Sequence, residues 1–462
     1  MDNCIILAGG QGKRMKSDMP KPMFKVLGEP MLEWVISACE NAGLKNICIV
    51  KGFKGEVIDE YLNGRYETVM QAERLGTGHA VMQAVPFLEK NSDGDLGNTL
   101  VLCGDAPFID SNTISESLAL HKEHNNSVTV ITSELDNPFG YGRIIRDNEN
   151  NIKITGIVEE KDASQNQKSI KEVNSGAYWF KTDDLIKLIK NLKNDNSQNE
   201  YYLTDTVALA VEAGMNAGAY KSSNPDVILG ANDRKGLLQL NTKARMNIIE
   251  KHLENGVEFT CLDGITIERN VKIGTNTEIL SGTILRGNTV IGENCKIGPN
   301  CVIENCKIGD EVNLNYVQAF KSEIEKGVKI GPWVHIRPNS LIKSGVKIGD
   351  FVEIKNSTVG EKTAIAHLTY VGDSDVGKKV NFGCGTVTVN YDGIVKSRCV
   401  IGDNCFIGCN TNLIAPVNLG KGVYTAAGTT ITRDVPDYSL AIDRGVMKIK
   451  EGYTLRKLKG KI

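Results

Sequence analysis

Apolar residues follow two different rhythms along this chain, and the change falls near residue 256. Up to about residue 229, short continuous apolar runs alternate with longer segments of helical spacing. The runs CIIL (4–7), NICIV (46–50) and TLVLC (99–103) have the length of strands buried on both faces. Between them, MLEWVISACENAG (31–43) ends on Gly43, and TGHAVMQAVPFLEK (77–90) follows Gly76. The alternation predicts an α/β domain with a mostly parallel sheet, whose ligands lie beyond the carboxyl ends of the strands. From Asn232 to Leu253 the pattern turns helical, with Leu237, Leu240, Ala244, Ile248 and Leu253 near one face and Gly256 as a stop. This stretch reads either as a connecting helix or as the last helix of the first domain.

The period then becomes six. Ile267, Ile273, Ile279, Leu285, Ile291, Ile297 and Ile303 recur without a miss. A second run takes Ile324, Ile330, Ile336, Ile342, Ile348 and Ile354, and a third Ile401, Ile407, Leu413 and Leu419. Neither a 3.6-residue nor a two-residue repeat alone gives a step of six. A parallel β-helix with three six-residue sides per coil does, each side pointing one aliphatic residue inward. The fourth residue after these aliphatics is small, as at Thr277, Thr283, Thr289, Cys295, Cys301, Val328, Val346 and Cys405. The predicted fold class is therefore α/β, Rossmann-like, followed by a left-handed parallel β-helix. The expected layout is a first domain at 1–229, a linker helix at 230–255, the β-helix at 256–437 and a tail at 438–462. Flat sides of such a stack invite a symmetric partner, and a homotrimer is expected. The tail breaks the period and is basic, with Lys448, Lys450, Arg456, Lys457, Lys459 and Lys461, and a solvated arm is its default reading.

Composition removes several classes of partner. The 54 basic and 56 acidic residues leave a net charge of −2, which argues against nucleic acid or an anionic membrane. No apolar run approaches the ~20 residues of a spanning helix, and the four-residue apolar run near the start reads as a strand and not as a secretory signal. The 12 cysteines form no CxxC pair and no zinc spacing, so reduced thiols in a cytoplasm are expected.

Candidate chemistry begins at LAGGQGKRM (7–15). A P-loop would need Ser or Thr where Arg14 stands, and a dinucleotide fingerprint would need glycine where Met15 stands. A glycine-rich turn still offers backbone N–H groups to an anion, and Arg14 and Lys21 add positive charge. That set suits a triphosphate attacked at its α-phosphorus, because charge develops on the departing pyrophosphate. Asp105, in LCGDAPF (102–108), follows a buried strand and emerges beside the glycine loop. One carboxylate there suffices for Mg²⁺, which prefers few carboxylates plus water and phosphate oxygens. Asn232 reads either as a second ligand or as a helix cap. In the second half, His367 of AIAHLTYVGD takes the third place of its hexapeptide, at a turn, and should point outward. NFGCGT (381–386) and NYDG (390–393) are polar interruptions of a strong repeat, where function is expected. An imidazole titrating near neutrality can take the proton from an amine attacking a thioester. His79 and His335 read as structural.

The order LAGGQGKRM, PK, QAERLGTGHA, GDAP, GYGRI, GIVEEKDA, VNSGAY, EYYLTD and GANDR resembles the sugar-nucleotide uridylyltransferases. Followed by hexapeptides, it is similar nearly end to end to the bifunctional bacterial N-acetylglucosamine-1-phosphate uridylyltransferase/glucosamine-1-phosphate acetyltransferase family. The resemblance implies that acetyl-CoA acetylates glucosamine 1-phosphate, and that UTP then converts N-acetylglucosamine 1-phosphate to the UDP-sugar and pyrophosphate. It implies that Leu7, Ala8, Gly9, Gly10, Cys103 and Gly104 line the nucleotide site, with Arg14 and Lys21 facing the triphosphate as catalytic charges. Gln71, Gly76 and Thr77 would read uracil and its surroundings, Asp105 and Asn232 would hold Mg²⁺, and Gly142, Glu159 and Asn174 would contact the sugar. In the β-helix it implies His367 as the base, and Arg337, Lys355, Tyr370 and Asn381 as amino-sugar phosphate ligands. Asn390 and Tyr391 would lie at the thioester, with Cys384, Cys409, Ala427 and Arg444 along the coenzyme groove. Departures from the usual pattern are Gly9 for Ala, Cys103 for Tyr, and Cys384 and Cys409 for Ala and Ser. Two rival readings are a nucleotidyltransferase with the β-helix as a trimerisation module, and a non-catalytic sugar-nucleotide sensor. The set of Arg337, Lys355, His367, Tyr370, Asn390 and Tyr391 argues against the first; Arg14, Lys21 and Asp105 argue against the second.

Overall fold

The computed structural model describes residues 2–90, 96–147, 150–196 and 198–458, so Lys459 and Lys461 of the expected tail lie outside the described residues. The chain divides into two compact units, Met1–Ala244 and Arg245–Ile462.

The first unit is built on one nine-stranded sheet. Its strands are β1 (Asn3–Ala8), β2 (Asn46–Lys51), β3 (Glu67–Met70), β4 (Asn98–Cys103), β5 (Val128–Glu134), β6 (Arg143–Asp147), β7 (Asn150–Val158), β8 (Glu172–Lys181) and β9 (Ala217–Lys221). The order is β3-β2-β1-β4-β8-β5-β9-β7-β6. The three apolar runs read from the sequence are β1, β2 and β4, and they pair in parallel. The expectation of a mostly parallel sheet holds for this half and for the β5–β9 pair, but not beyond them. Strand β8 runs antiparallel to both β4 and β5, and β6 and β7 form an antiparallel hairpin, so the sheet is mixed. Two apolar layers sandwich the sheet. Ile5, Val101 and Phe180 face one layer, and Ile6, Leu102 and Trp179 the other, as successive side chains of a strand must alternate.

The helix α1 (Met31–Asn41) agrees with its apolar spacing. The segment 77–90 does not form one helix: it divides into α2 (Thr77–Gln83) and α3 (Val85–Lys90) at Ala84. Pro86 supplies no backbone N–H and its ring disfavours helical backbone before it, which accounts for the break. The last helix, α4 (Arg234–Glu254), crosses the boundary between the units. Leu240 and Ala244 are buried and Ile248 packs half-buried against the core beside the buried Ile249, but His252 takes the inward place expected of Leu253, which is exposed.

The second unit is a left-handed parallel β-helix of three sheets with 11, 10 and 9 strands. The aliphatic ladder forms a continuous core, and Thr277, Thr283, Thr289, Cys295, Cys301, Val328, Val346 and Cys405 are all buried beside it. Each fully buried Ile contributes about 1.5–3 kcal/mol of apolar transfer. The three separate runs of sixes are one helix. Ile308, Leu314 and Ala319 carry the ladder from Ile303 to Ile324, through turns shortened by one residue that conceal the period. The final rung, Leu440–Ala441, pairs with Tyr424 and Thr425, so regular coil persists past 437. Beyond it the described arm is exposed and carries one short helix, Tyr453–Lys457.

Candidate active sites

The glycine loop leaves β1 at its carboxyl end and is held from both sides. Phe53 N donates to Gly9 O (3.3 Å), Lys21 N to Gly10 O (3.1 Å), and Gly104 N to Leu7 O (2.9 Å). Beside it lies a cavity of about 260 Å³ lined by Leu7, Gly9, Gly10, Lys21, Gln71, Gly76, Thr77, Cys103 and Asp105. The buried Gln71 donates through Nε2 to Gly76 O (3.0 Å) and lies 3.3 Å from His79 Nδ1. His79 is therefore a support for the uracil-reading candidate, a role the sequence did not reveal. A Cβ on Gly9 would come within 2.9 Å of Gln71 Oε1, so glycine here lets the carboxamide lean over the loop. Arg74 also lines the cavity and donates to Gln11 Oε1 (2.9 Å), tying the glycine loop to the QAERLGTGHA segment that carried it unnoticed.

Lys21 sits between the two expected metal ligands. Its Nζ pairs with an Asp105 carboxylate oxygen and donates to Asn232 Oδ1 (2.7 Å). Two oxygen donors thus converge on one cationic point, the donor chemistry a hard cation such as Mg²⁺ takes. Among the described residues no group of three or more His, Cys, Asp or Glu could hold a metal, so substrate and water oxygens would complete the shell. Of the remaining expected residues, Ala8 and Gly104 are buried behind the loop, and Arg14 is exposed on the turn Lys13–Met15 and lines neither cavity of this unit.

A second cavity, about 550 Å³, adjoins the first and shares Leu7, Thr77 and Cys103 with it. Glu159 and Asn174 line it, and Gly142 adjoins both without lining it. Asn174 N donates to Gly142 O (2.9 Å), and a Cβ on Gly142 would lie 3.3 Å from Glu159 Oε1. The Glu159 carboxyl is held above its ordinary range, first by burial and then by the charges of Asp162 and Asp205. Asn174 Nδ2 donates to the hydroxyl of the buried Tyr178 (2.6 Å), another lining residue the motifs did not single out. Burial and the Asp105 charge push the Cys103 thiol up to about 12, so it packs here as a small neutral group.

In the β-helix, His367 ends the strand Ala364–His367 and is exposed, as expected. Strand register carries Ile365 onto Phe382, Phe382 onto Ile407, and Phe406 onto Tyr424. Two residues past each inward side chain, His367, Cys384, Cys409 and Ala427 therefore stack in one column along one edge of the prism; the next rung brings Asp443 to that place, with the exposed Arg444 following it in sequence. At about 4.8 Å per rung, the three steps from His367 to Ala427 span roughly 14 Å, a length that suits an extended coenzyme arm.

The opposite edge of the next sheet carries the cations. Ile336 pairs with Ile354, and Lys355 with Gly372, so Arg337 and Lys355 stack one rung apart. Arg337 donates to Glu353 Oε1 (2.9 Å). Tyr370 lies between the two edges, its hydroxyl against Gly372 where a Cβ would strike it. Asp373, at φ 46° and buried, joins Lys355 Nζ (3.4 Å), Asn356 Nδ2 (2.5 Å) and the expected thioester residue Asn390. Burial alone would raise its pKa, but the Asn356 and Asn390 hydrogen bonds and the Lys355 charge outweigh that and hold it below the usual carboxylate range. Asp373 closes the AIAHLTYVGD stretch, and its part in the site shows only in its three partners. Tyr391 and Asn381 are exposed; Tyr391 begins an outward loop bridged to Lys396.

These features define a two-part transferase, a nucleotidyltransferase unit joined to a hexapeptide-repeat unit. Residues 3–227 match the family model of nucleotidyl transferases, and residues 288–316, 321–356 and 398–433 match that of bacterial transferase hexapeptides (six repeats). The "Bifunctional protein GlmU" of Acetivibrio thermocellus is 46% identical over 453 residues, covering 98% of this chain and 97% of that protein. Those of Thermoanaerobacter pseudethanolicus and Streptococcus agalactiae are 47% and 43% identical, again over 98% of this chain and 98% and 97% of theirs. The chain belongs to the GlmU family of bifunctional uridylyltransferase/acetyltransferases.

Proposed function

We propose that this chain performs the family's two reactions at two separate sites, with the residues described above. In the first unit, UTP lies along the glycine loop with uracil at Gln71, and N-acetylglucosamine 1-phosphate fills the larger cavity against Glu159 and Asn174. A sugar-phosphate oxygen attacks the α-phosphorus, and the bond to pyrophosphate breaks. No protein nucleophile is needed; catalysis is positioning and charge. Lys21 leaves Asp105 and Asn232 for the phosphates and, with Arg14 from its exposed turn, takes up charge on the leaving group. Asp105 and Asn232 would then hold Mg²⁺, which supplies neutralisation of phosphate charge.

In the second unit, glucosamine 1-phosphate sets its phosphate between Arg337 and Lys355, with Tyr370 and Asn381 beside it. His367 takes a proton from the amine as nitrogen attacks the acetyl-CoA carbonyl, and the C–S bond breaks to release CoA. Asn390 and Tyr391 lie at the thioester, and Cys384, Cys409, Ala427 and Arg444 follow the coenzyme. The reading rests above all on one observation: His367 shares a single register column with Cys384, Cys409 and Ala427. We also infer a homotrimer through the flat β-helix sides, and work in a reducing cytoplasm, which suits twelve free cysteines.

The test measures CoA thiol release with glucosamine 1-phosphate, and pyrophosphate release from UTP plus N-acetylglucosamine 1-phosphate, for wild type and His367→Ala. Loss of thiol release alone is expected. Acetylation by His367→Ala at the wild-type rate overturns the base assignment.

A further inference from the structure

The larger cavity of the first unit is walled by two chain segments with no strand pairing at their tips, Phe139–Gly140 on one side and Glu159–Asp162 on the other. One buried residue links them. Arg143, at the start of β6, is 1% exposed. It donates through one terminal nitrogen to Glu160 Oε2 (2.7 Å) and through the other to Tyr141 O. The same Glu160 oxygen accepts from Gly140 N (3.1 Å), so a single carboxylate joins both walls. The arrangement is costly to the fold. A guanidinium has been taken out of water, and its Nε finds no hydrogen-bond partner among the described residues. A buried cation retained at such cost, and spent wholly on the rim of a binding cavity, points to function and not to general stability.

The pair also sorts two adjacent carboxylates. Glu160 is satisfied by Arg143 and Gly140, and its pKa is held below the ordinary range, first by the Arg143 hydrogen bond and then by that of Gly140. Glu159 faces the cavity near Gly142 and takes no part in the ion pair. We propose that Arg143 and Glu160 are a positioning pair for uridylyl transfer: they fix the separation of the two sugar-pocket walls, and by committing the guanidinium to Glu160 they leave Glu159 free to accept from a sugar hydroxyl. Arg143 lies behind the cavity lining, whereas Glu160 is part of it, with one carboxylate oxygen committed to Arg143 and Gly140. This rests on the assignment of the larger cavity to the sugar phosphate.

The two residues act on sugar recognition alone, so the measurement must separate sugar from nucleotide. Calorimetric titration of the full chain with UDP and with UDP-N-acetylglucosamine gives the affinity that the sugar adds. In wild type the sugar nucleotide binds more tightly than UDP. Glu160→Ala shrinks that gap at least tenfold while UDP affinity stays within twofold. Glu160→Gln, which keeps an acceptor for Arg143 and Gly140, retains the gap within threefold. In steady state, Glu160→Ala raises KM for N-acetylglucosamine 1-phosphate and leaves KM for UTP unchanged. A Glu160→Ala chain that keeps the full gap overturns the positioning role. Parallel loss of UDP and UDP-sugar binding overturns it too, as the signature of a merely structural pair. A wild-type chain with no gap overturns the sugar assignment itself, and the proposal with it.

Discussion

Gly76 tests how tightly the nucleotide cavity is framed. It caps the N-terminus of α2 at φ 107°, a region that L side chains rarely adopt, and a Cβ there would lie 2.6 Å from Tyr201 O, 2.9 Å from Tyr201 N and 3.0 Å from Glu200 Cβ. Two of those neighbours are backbone and cannot rotate away. Strained backbone costs of order 1–3 kcal/mol, and overpacking adds about the same. Relief requires the 200–203 segment to move, against three bonds: Tyr201 N to Leu75 O (2.7 Å), Gly78 N to Tyr201 O (2.8 Å) and Leu203 N to Thr77 Oγ1 (3.0 Å). The Gly76 carbonyl also holds Gln71. If about 2–3 kcal/mol of this strain reaches the bound transition state, kcat/KM for uridylyl transfer falls roughly 30- to 150-fold in Gly76→Ala. Acetyl transfer, read on the same sample by CoA thiol release, stays at the wild-type rate. By contrast Gly9→Ala, whose nearest neighbour is the movable end of Gln71, changes uridylyl transfer by less than about threefold. Gly76→Ala with uridylyl transfer within threefold of wild type would refute the reasoning, because the frame would then be able to give way.

Three further outcomes follow from individual groups. Burial, then the Lys181 charge, lowers the His121 pKa to about 4, so the folded chain resists a proton that the unfolded chain takes near 6.5. The resulting stability is present above pH 6.5 and is lost as pH falls toward 4, about 2 kcal/mol by pH 5. Urea unfolding of wild type and His121→Leu at pH 7.5 and 5 checks this, and equal acid losses in both contradict it. Because the Glu159 pKa is raised, sugar binding weakens as pH falls toward and through that raised value. Its KM profile for N-acetylglucosamine 1-phosphate should lose this acid limb in Glu159→Gln, and an unchanged limb counts against the contact. Finally, maleimide should lower acetyl transfer through the exposed Cys409 and spare uridylyl transfer, since burial and the Asp105 charge keep the Cys103 thiol protonated and unreactive. An alkylated chain that keeps full acetyl transfer removes Cys409 from the coenzyme path.

Much of this architecture was legible because it repeats. The step of six specified the β-helix and placed Cys295, Cys301 and Cys405 in its core, though not Cys306 and Cys399, which fall where the period breaks; LAGGQGKRM with Lys21 marked the phosphate loop. What escaped has physical causes. Shortened turns between Ile303 and Ile324 break the count without breaking the coil. The column from His367 to Ala427 is invisible as a spacing, because the Asn390–Arg398 loop lengthens the middle step. Strand β8 reads as an apolar run of either direction, and only its partners make it antiparallel. Arg143 and Glu160 sit inside motifs that were quoted, yet a side-chain pairing across 17 residues has no local signature.

The central claim is that one chain carries two independent sites, and variants of the two units test it most directly. Supplied with glucosamine 1-phosphate, acetyl-CoA and UTP, Lys21→Ala should stop at N-acetylglucosamine 1-phosphate, and His367→Ala should leave glucosamine 1-phosphate unchanged. Mixed together, the two proteins should restore formation of UDP-N-acetylglucosamine, followed by chromatography of the sugar nucleotide. If Lys21→Ala loses acetylation as well, or if the mixture makes no UDP-sugar, the account of two separate sites is contradicted.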